Sequence, residues 1–300
     1  VGLLLVQRNL GFYTKSISSS PALAAQCGRQ VAWLRLLKNV LGVFILLLTA
    51  GGIATACYDH QIRTQHLTLQ RQALWPHFDA QTFWKAPDVF LAETDDEAAM
   101  IRYGRDLIAH TQDYFGANGA LRPNSINHLN CQSCHLEAGS KPFGNNYFAV
   151  ESTYPQMRAR SGSLETIPKR INDCFQRSLN GQPIDTTSNE MKSIMAYMRW
   201  LGTGVPKNAR PKGSGLVEVP FLQRAADPAK GQTVYMEKCA SCHGTDGRGL
   251  PIPESARNYP PLWGENSYNQ AAGLFRLSRF AGYVKANMPF GATYDNPQLT

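Results

Sequence analysis

Cys131-Gln132-Ser133-Cys134-His135 and Cys239-Ala240-Ser241-Cys242-His243 decide the reading of this 300-residue chain. In Cys-x-x-Cys-His the two thiols add across the vinyl groups of a haem. The tether then leaves the adjacent His as the natural axial ligand of the iron. Tetrahedral zinc is the competing reading of a Cys-x-x-Cys pair. Here each pair runs directly into His, and the pairs lie about a hundred residues apart, far beyond zinc-ribbon spacing. The motifs imply two covalently bound haem c groups, attached through Cys131, Cys134, Cys239 and Cys242, with His135 and His243 on the irons.

Working outward, the length suggests two domains. The chain's 7 cysteines are too few for a disulfide scaffold. Four go to haem, which leaves Cys27, Cys57 and Cys174. Residues 1–56 carry Arg8, Lys15, Arg29, Arg35 and Lys38 and no Asp or Glu. More than half of the net charge of +8 therefore belongs to this leader, and nucleic-acid binding gains no support from it. Arg29, Arg35 and Lys38 precede the apolar run 40–56, which ends in Ala54-Thr55-Ala56. That pattern reads as a secretory signal or, at the lower edge of bilayer-spanning length, as a membrane anchor. Either puts the rest of the chain outside the cytoplasm. Cys57 sits where a lipidated cysteine would follow cleavage, but Ala54 replaces the bulky aliphatic residue expected before it. The chain opens on Val rather than Met, which reads as a fragment or a misplaced start.

The second half, 216–300, reads as a small α-helical cytochrome c-like domain. Asp227-Pro228 starts a helix on which Gly231, Tyr235 and Cys239 share one face, Gly231 admitting the close approach of another helix. Met288-Pro289 supplies a thioether, the usual second ligand of an electron-transfer haem. Pro260-Pro261-Leu262-Trp263 fits a loop that packs the haem edge and offers the ligand His a carbonyl. The first half, 95–201, repeats the plan. Gly104 and Ile108 sit on a helix starting near Asp95-Asp96-Glu97, followed by an insertion, 117–127, before Cys131. A helix over 189–201 carries Met191, Ile194, Met195 and Met198 as a core stripe. Residues 57–94 are an N-terminal extension, and the Gly- and Pro-containing stretch 202–215 reads as an interdomain linker. The expected architecture is thus mainly α, two tandem cytochrome c-like haem domains after an N-terminal signal or anchor.

No Met-Pro follows His135 within the first domain, so its iron needs a different sixth ligand, and Cys174 is the best candidate. Thr166 caps a helix with Pro168 in its first turn, and Arg170, Cys174 and Ser178 recur on one face. The bland alternative is a buried free Cys acting as a small hydrophobe. Arg158, Arg160, Lys169, Arg170 and Arg177 crowd cations near the thiol, a field that favours thiolate and attracts small anions.

Tyr103-Gly104-Arg105, Asn130 through Leu136, Pro142-Phe143-Gly144-Asn145-Asn146, Arg158-Ala159-Arg160-Ser161-Gly162, Arg170 through Ser178 and Lys285-Ala286-Asn287-Met288-Pro289 resemble dihaem thiosulfate dehydrogenase. The resemblance spans roughly residues 95–300, and Arg-Ile-Asn-x-Cys is its most specific element. It implies that the first haem is catalytic, with His135 and Cys174 as axial ligands and Arg160, Arg170 and Ser178 holding substrate. It implies that the second haem, on His243 and Met288, passes electrons to a small periplasmic carrier protein. The family joins two thiosulfates into tetrathionate, reversibly in some members. It also implies a closing helix beyond Thr300. The chemistry is consistent: arginine forks suit sulfonate oxygens, and two one-electron haems can take the pair of electrons released. A thiolate beside the iron can also bond the outer sulfur of thiosulfate, as in thiol–disulfide exchange. A dihaem electron carrier would require Met at both irons, and a dihaem peroxidase an open iron without Cys. Low-spin His/thiolate and His/Met spectra would separate these readings.

Overall fold

The computed structural model describes residues 21–74, 78–85, 95–121, 126–255 and 257–299. These divide into an N-terminal unit and a unit from residue 70 onward that carries both haem motifs.

The N-terminal unit is built on α1 (Pro21–Leu74), 54 residues and so about 80 Å long at 1.5 Å per residue. The helix runs unbroken through Ala54-Thr55-Ala56 and Cys57. Within it, Arg29–Gln65 is long and apolar enough to cross a bilayer. The helix therefore reaches beyond the apolar run 40–56 on both sides, because the flanking residues are themselves good helix formers.

The second unit is mainly helical. Its principal helices are α2 (Asp95–Ala109), α3 (Ile167–Arg177), α4 (Asn189–Leu201), α5 (Pro228–Lys238) and α6 (Leu277–Asn287). A small antiparallel hairpin joins β1 (Gln156–Arg158) to β2 (Ser163–Glu165), with Arg158 opposite Ser163. Three acids, Asp95, Asp96 and Glu97, occupy the first turn of α2, where they oppose the helix dipole. Thr166, Ser188 and Asp227 cap α3, α4 and α5 through their side chains.

The main core lies between α2 and α4. Leu107, Ile108, Met191, Ile194, Tyr197 and Leu201 are buried there, joined by Phe115, Phe175 and Leu129. Met191, Ile194 and Met198 are buried as the helical stripe required, and Met195 packs on the same cluster. The crossing is close because Gly104 has no side chain. A Cβ there would overlap the Ser193 carbonyl oxygen on α4. Trp84, from the segment before α2, is 5% exposed and donates its indole N–H to the Leu201 carbonyl at 2.9 Å.

Among the described residues Gly231 on α5 meets nothing within 4 Å, so they do not test its expected contact with another helix. Close glycines of this half include Gly282 on α6, where a Cβ would overlap the Val217 carbonyl, and Gly249, where it would overlap the Tyr259 carbonyl. The stretch 202–215 is not a loose tether. Its residues bond back onto the first half: Asn208 N to Ser152 O at 2.8 Å, Phe143 N to Gly213 O at 2.7 Å and Asn145 N to Gly215 O at 2.9 Å. Its glycines and prolines make turns that keep the chain against the body, since backbone polar groups there find partners.

Candidate functional site

The first haem motif is a turn tied to the end of α2. The backbone N–H of Cys131 donates to Thr111 Oγ1 at 2.9 Å, and Gln132 Nε2 donates to the Ala109 carbonyl at 2.7 Å. Asn130 and Ser133 cap that turn reciprocally. His135 Nδ1 bonds the Asn145 carbonyl, and the ring stacks on buried Tyr147 with centroids 4.4 Å apart. A carbonyl can only accept, so Nδ1 carries the proton and Nε2 keeps its lone pair for a metal. Burial pushes the His135 pKa down to about 4, which keeps the imidazole in the neutral form that ligation requires.

The second motif repeats the arrangement. Cys239, Cys242 and His243 span the turn Ala240–His243, and His243 Nδ1 donates to the Pro260 carbonyl at 2.8 Å. Met288, half-buried, caps the C-terminus of α6. These turns present two thiols and one oriented imidazole each, the donor set a covalent haem uses. Among the described residues no three His, Cys, Asp or Glu side chains gather into a metal cluster of the zinc type.

A cavity of about 320 Å³ opens at the first motif. Cys131, Cys134 and His135 line it together with Arg170, Cys174 and Ser178 of α3. Thr166 accepts from Lys169 N and Pro168 occupies the first turn, as the sequence required. The helix ends at Arg177, with Ser178 in the cap and its N–H on the Cys174 carbonyl at 2.8 Å. Asn172 staples the following segment by exchanging bonds with both Ile184 N (2.9 Å) and Ile184 O (3.0 Å). That staple explains the Asn of the Arg-Ile-Asn-x-Cys element. Coulombic interaction with Cys174 raises the pKa of Arg170 more than burial lowers it, so the guanidinium stays charged beside the sulfur.

The cation crowd read from sequence is thinner in three dimensions. Glu165, 2% exposed, pairs with Arg158 at 3.3 Å and Lys169 at 3.7 Å. Asp173 pairs with Lys169 at 3.4 Å and Arg177 at 3.2 Å. Three of the five cations are therefore paired locally, because folding brings two buried carboxylates among them, which cancel two of the three charges. Arg160, in the turn of the hairpin, is exposed. It stands outside the cavity lining and donates to the Ala271 carbonyl. Arg276 and Arg279 at the start of α6 do line the cavity, and sequence spacing gave no sign of them.

The two halves meet at this site. Tyr283 of α6 donates to the Ser133 carbonyl, within the first haem motif, at 3.0 Å. Asn287 donates to the Phe143 carbonyl at 3.0 Å. The second haem's own domain thus rests on the first haem's attachment turn.

A helical chain that anchors haem twice in this manner is a dihaem c-type cytochrome. Comparison with known proteins narrows the class. Residues 122–206 match the SoxA/TsdA cytochrome c domain model, and residues 228–299 match the cytochrome c model. Thiosulfate dehydrogenase of Psychrobacter arcticus is 37% identical over 69% of this chain and 61% of its own length. That of Stutzerimonas stutzeri is 30% identical over 85% of this chain and 80% of its own length. A solved thiosulfate dehydrogenase (TsdBA) from Marichromatium purpuratum superposes with a TM-score of 0.63 at 30% identity. The match covers 73% of this chain and 46% of that one. The chain belongs to the thiosulfate dehydrogenase family. It spans under two thirds of the Psychrobacter relative and under half of the Marichromatium chain.

The haem count has a direct check. Denatured protein is expected to retain its haem, with an intact mass above the polypeptide's by two haems. A single haem, or haem extracted by acid–acetone, contradicts the assignment of both motifs.

Proposed function

We propose that this protein couples two thiosulfates to tetrathionate at the first haem and exports the electrons through the second. The observation that carries the reading is the single cavity lined at once by Cys131, Cys134, His135, Arg170, Cys174 and Ser178. It joins a haem-attachment turn, a thiol and a charged guanidinium. The names of the relatives supply the substrate.

In this reading residues 95–201 form the active-site domain and 216–300 the electron-transfer domain. His135 and Cys174 would hold the first haem's iron, and His243 and Met288 the second's. Each bound haem supplies a one-electron acceptor, so the pair takes the two electrons released when two thiosulfates become one tetrathionate. Arg170 and the Ser178 hydroxyl bind the sulfonate oxygens, and Arg160 closes the rim. The Cys174 sulfur takes the outer sulfur of one thiosulfate as a disulfide, giving up two electrons. The second thiosulfate then displaces the Cys174 thiolate and forms the sulfur–sulfur bond of the product. Electrons leave to a small periplasmic carrier protein, and α1 serves as signal or membrane anchor for an active domain facing the periplasm.

Haem-loaded, full-length protein is expected to reduce ferricyanide with thiosulfate, or to oxidise reduced viologen with tetrathionate. Neither activity in correctly loaded protein defeats the enzyme reading and leaves a dihaem electron carrier. Arg170→Gln is expected to raise KM for thiosulfate roughly ten- to hundredfold, the loss of a charged hydrogen bond of about 1.5–3 kcal/mol. Arg160→Gln should give a smaller rise, because its side chain stands outside the cavity lining.

A further inference from the structure

We propose that Arg276 and Arg279, contributed by the second haem domain, complete the substrate site as a cradle for the outer sulfonate of tetrathionate or of the second thiosulfate. The inference rests on the function proposed above and extends it to a segment about a hundred residues downstream of Cys174.

The first support is placement. Arg276 and Arg279 line the same cavity as Cys174 and Arg170. The segment leading to them is fastened to the end of the Cys174 helix. Asn269 N donates to the Arg177 carbonyl at 3.0 Å, and Asn269 Nδ2 reaches the Gln176 carbonyl at 3.0 Å. Asn127 Nδ2 ties both strands of this seam, donating to Ser178 O at 2.9 Å and Ser267 O at 2.7 Å. Arg160 joins from the hairpin side through its bond to the Ala271 carbonyl. The seam therefore fixes the two arginines relative to Cys174.

The second support is charge. Arg158, Lys169 and Arg177 are paired with carboxylates. Among the described residues, neither Arg170, Arg276 nor Arg279 has such a pair. Partial burial, and then the repulsion of Arg177, Arg276 and Arg170, lowers the Arg160 pKa. Asp173 opposes this shift only as the smallest of the influences, and like charges gathered at one mouth suit a bound anion.

The third support is the shape of the chemistry. Tetrathionate is an extended dianion with a sulfonate at each end, and two thiosulfates bring four negative charges together. Arg170 and Ser178 can hold one sulfonate beside Cys174. The sulfur–sulfur bond forms at the thiol, so the second sulfonate projects away from it and needs its own cationic partner. Arginine forks match three-oxygen anions in geometry as well as charge.

The test compares wild-type holoenzyme with Arg276→Gln, Arg279→Gln and the double variant, each checked for two haems and an unchanged visible spectrum. Each single variant is expected to raise KM for thiosulfate about tenfold, and the double variant about a hundredfold, with kcat within roughly threefold. Arg276→Lys should restore part of the loss. Calorimetric titration of oxidised protein with tetrathionate should show affinity falling by matching factors. KM and affinity within twofold of wild type would overturn the proposal. So would a shifted midpoint potential of the first haem with KM unaltered, because that marks the arginines as partners of the haem carboxylates. The two readings fail separately. Active wild type with unaffected variants removes only the cradle. Inactive wild type that binds tetrathionate, and binds it more weakly after substitution, removes only the catalytic reading. Inactive wild type that binds no tetrathionate removes both.

Discussion

Cys174→Ala should retain both covalent haems yet lose thiosulfate turnover by at least about a thousandfold. Haem attachment depends on Cys131, Cys134, Cys239 and Cys242, which the substitution leaves in place. Cys174 lies on a different element, α3, and reaches the first motif only through the shared cavity. Removing it takes away the proposed sixth ligand of the first iron together with the sulfur that receives substrate. Because one atom is asked to do both, the loss should exceed that of any arginine variant. The low-spin thiolate signature should vanish from the paramagnetic-resonance spectrum, while the signal of the second haem stays. Met288→Ala should do the reverse, altering the second haem's potential and leaving the thiolate signature intact. Activity of Cys174→Ala within tenfold of wild type would remove this residue from the chemistry.

Gly104→Val is expected to be the most damaging single change to the fold. A Cβ at this position runs into the Ser193 backbone oxygen on α4, and backbone cannot rotate away as a side-chain tip can. Substituting Gly in a helix interior ordinarily gains up to about 1 kcal/mol of helix propensity. Here separation of α2 from α4 would also open the core around Leu107, Met191 and Leu201, all with 0% exposure. Overpacking of a tight core costs about 1–3 kcal/mol and can exceed this where only backbone can yield. A net loss of about 3 kcal/mol or more is expected. In chemical denaturation of the holoprotein this appears as a lower midpoint with little change in slope. A midpoint equal to wild type would show that the α2–α4 crossing adapts and is not fixed by this glycine.

The features legible in the sequence are those set by neighbours along the chain. Helix α4 was readable from its stripe of apolar residues, and α3 from Thr166 and Pro168, because capping and periodicity act within a few residues. Covalent haem attachment was readable for the same reason, since the five residues of each motif carry the whole chemistry. The turning of His243 by the Pro260 carbonyl was readable from the loop's composition, though the bond itself spans 17 positions.

Charge balance was far less legible, because it depends on which groups meet. Arg158, Lys169 and Arg177 read as free cations. Glu165 and Asp173 pair with them once the hairpin and α3 fold together. Arg276 and Arg279 read as unremarkable surface residues, yet they border the Cys174 cavity because the seam of Asn127 and Asn269 carries the start of α6 to it. The partner of Gly104 was likewise not readable, because Ser193 lies on a helix far along the chain. By itself, then, the sequence determined two covalent haems, a mainly helical tandem body and the α3 face bearing Arg170, Cys174 and Ser178, since each follows from short-range bonding and helix periodicity. Tertiary structure alone decided which cations stay unpaired around the thiol and that both halves border one cavity, because charge compensation and cavity walls arise from residues far apart along the chain.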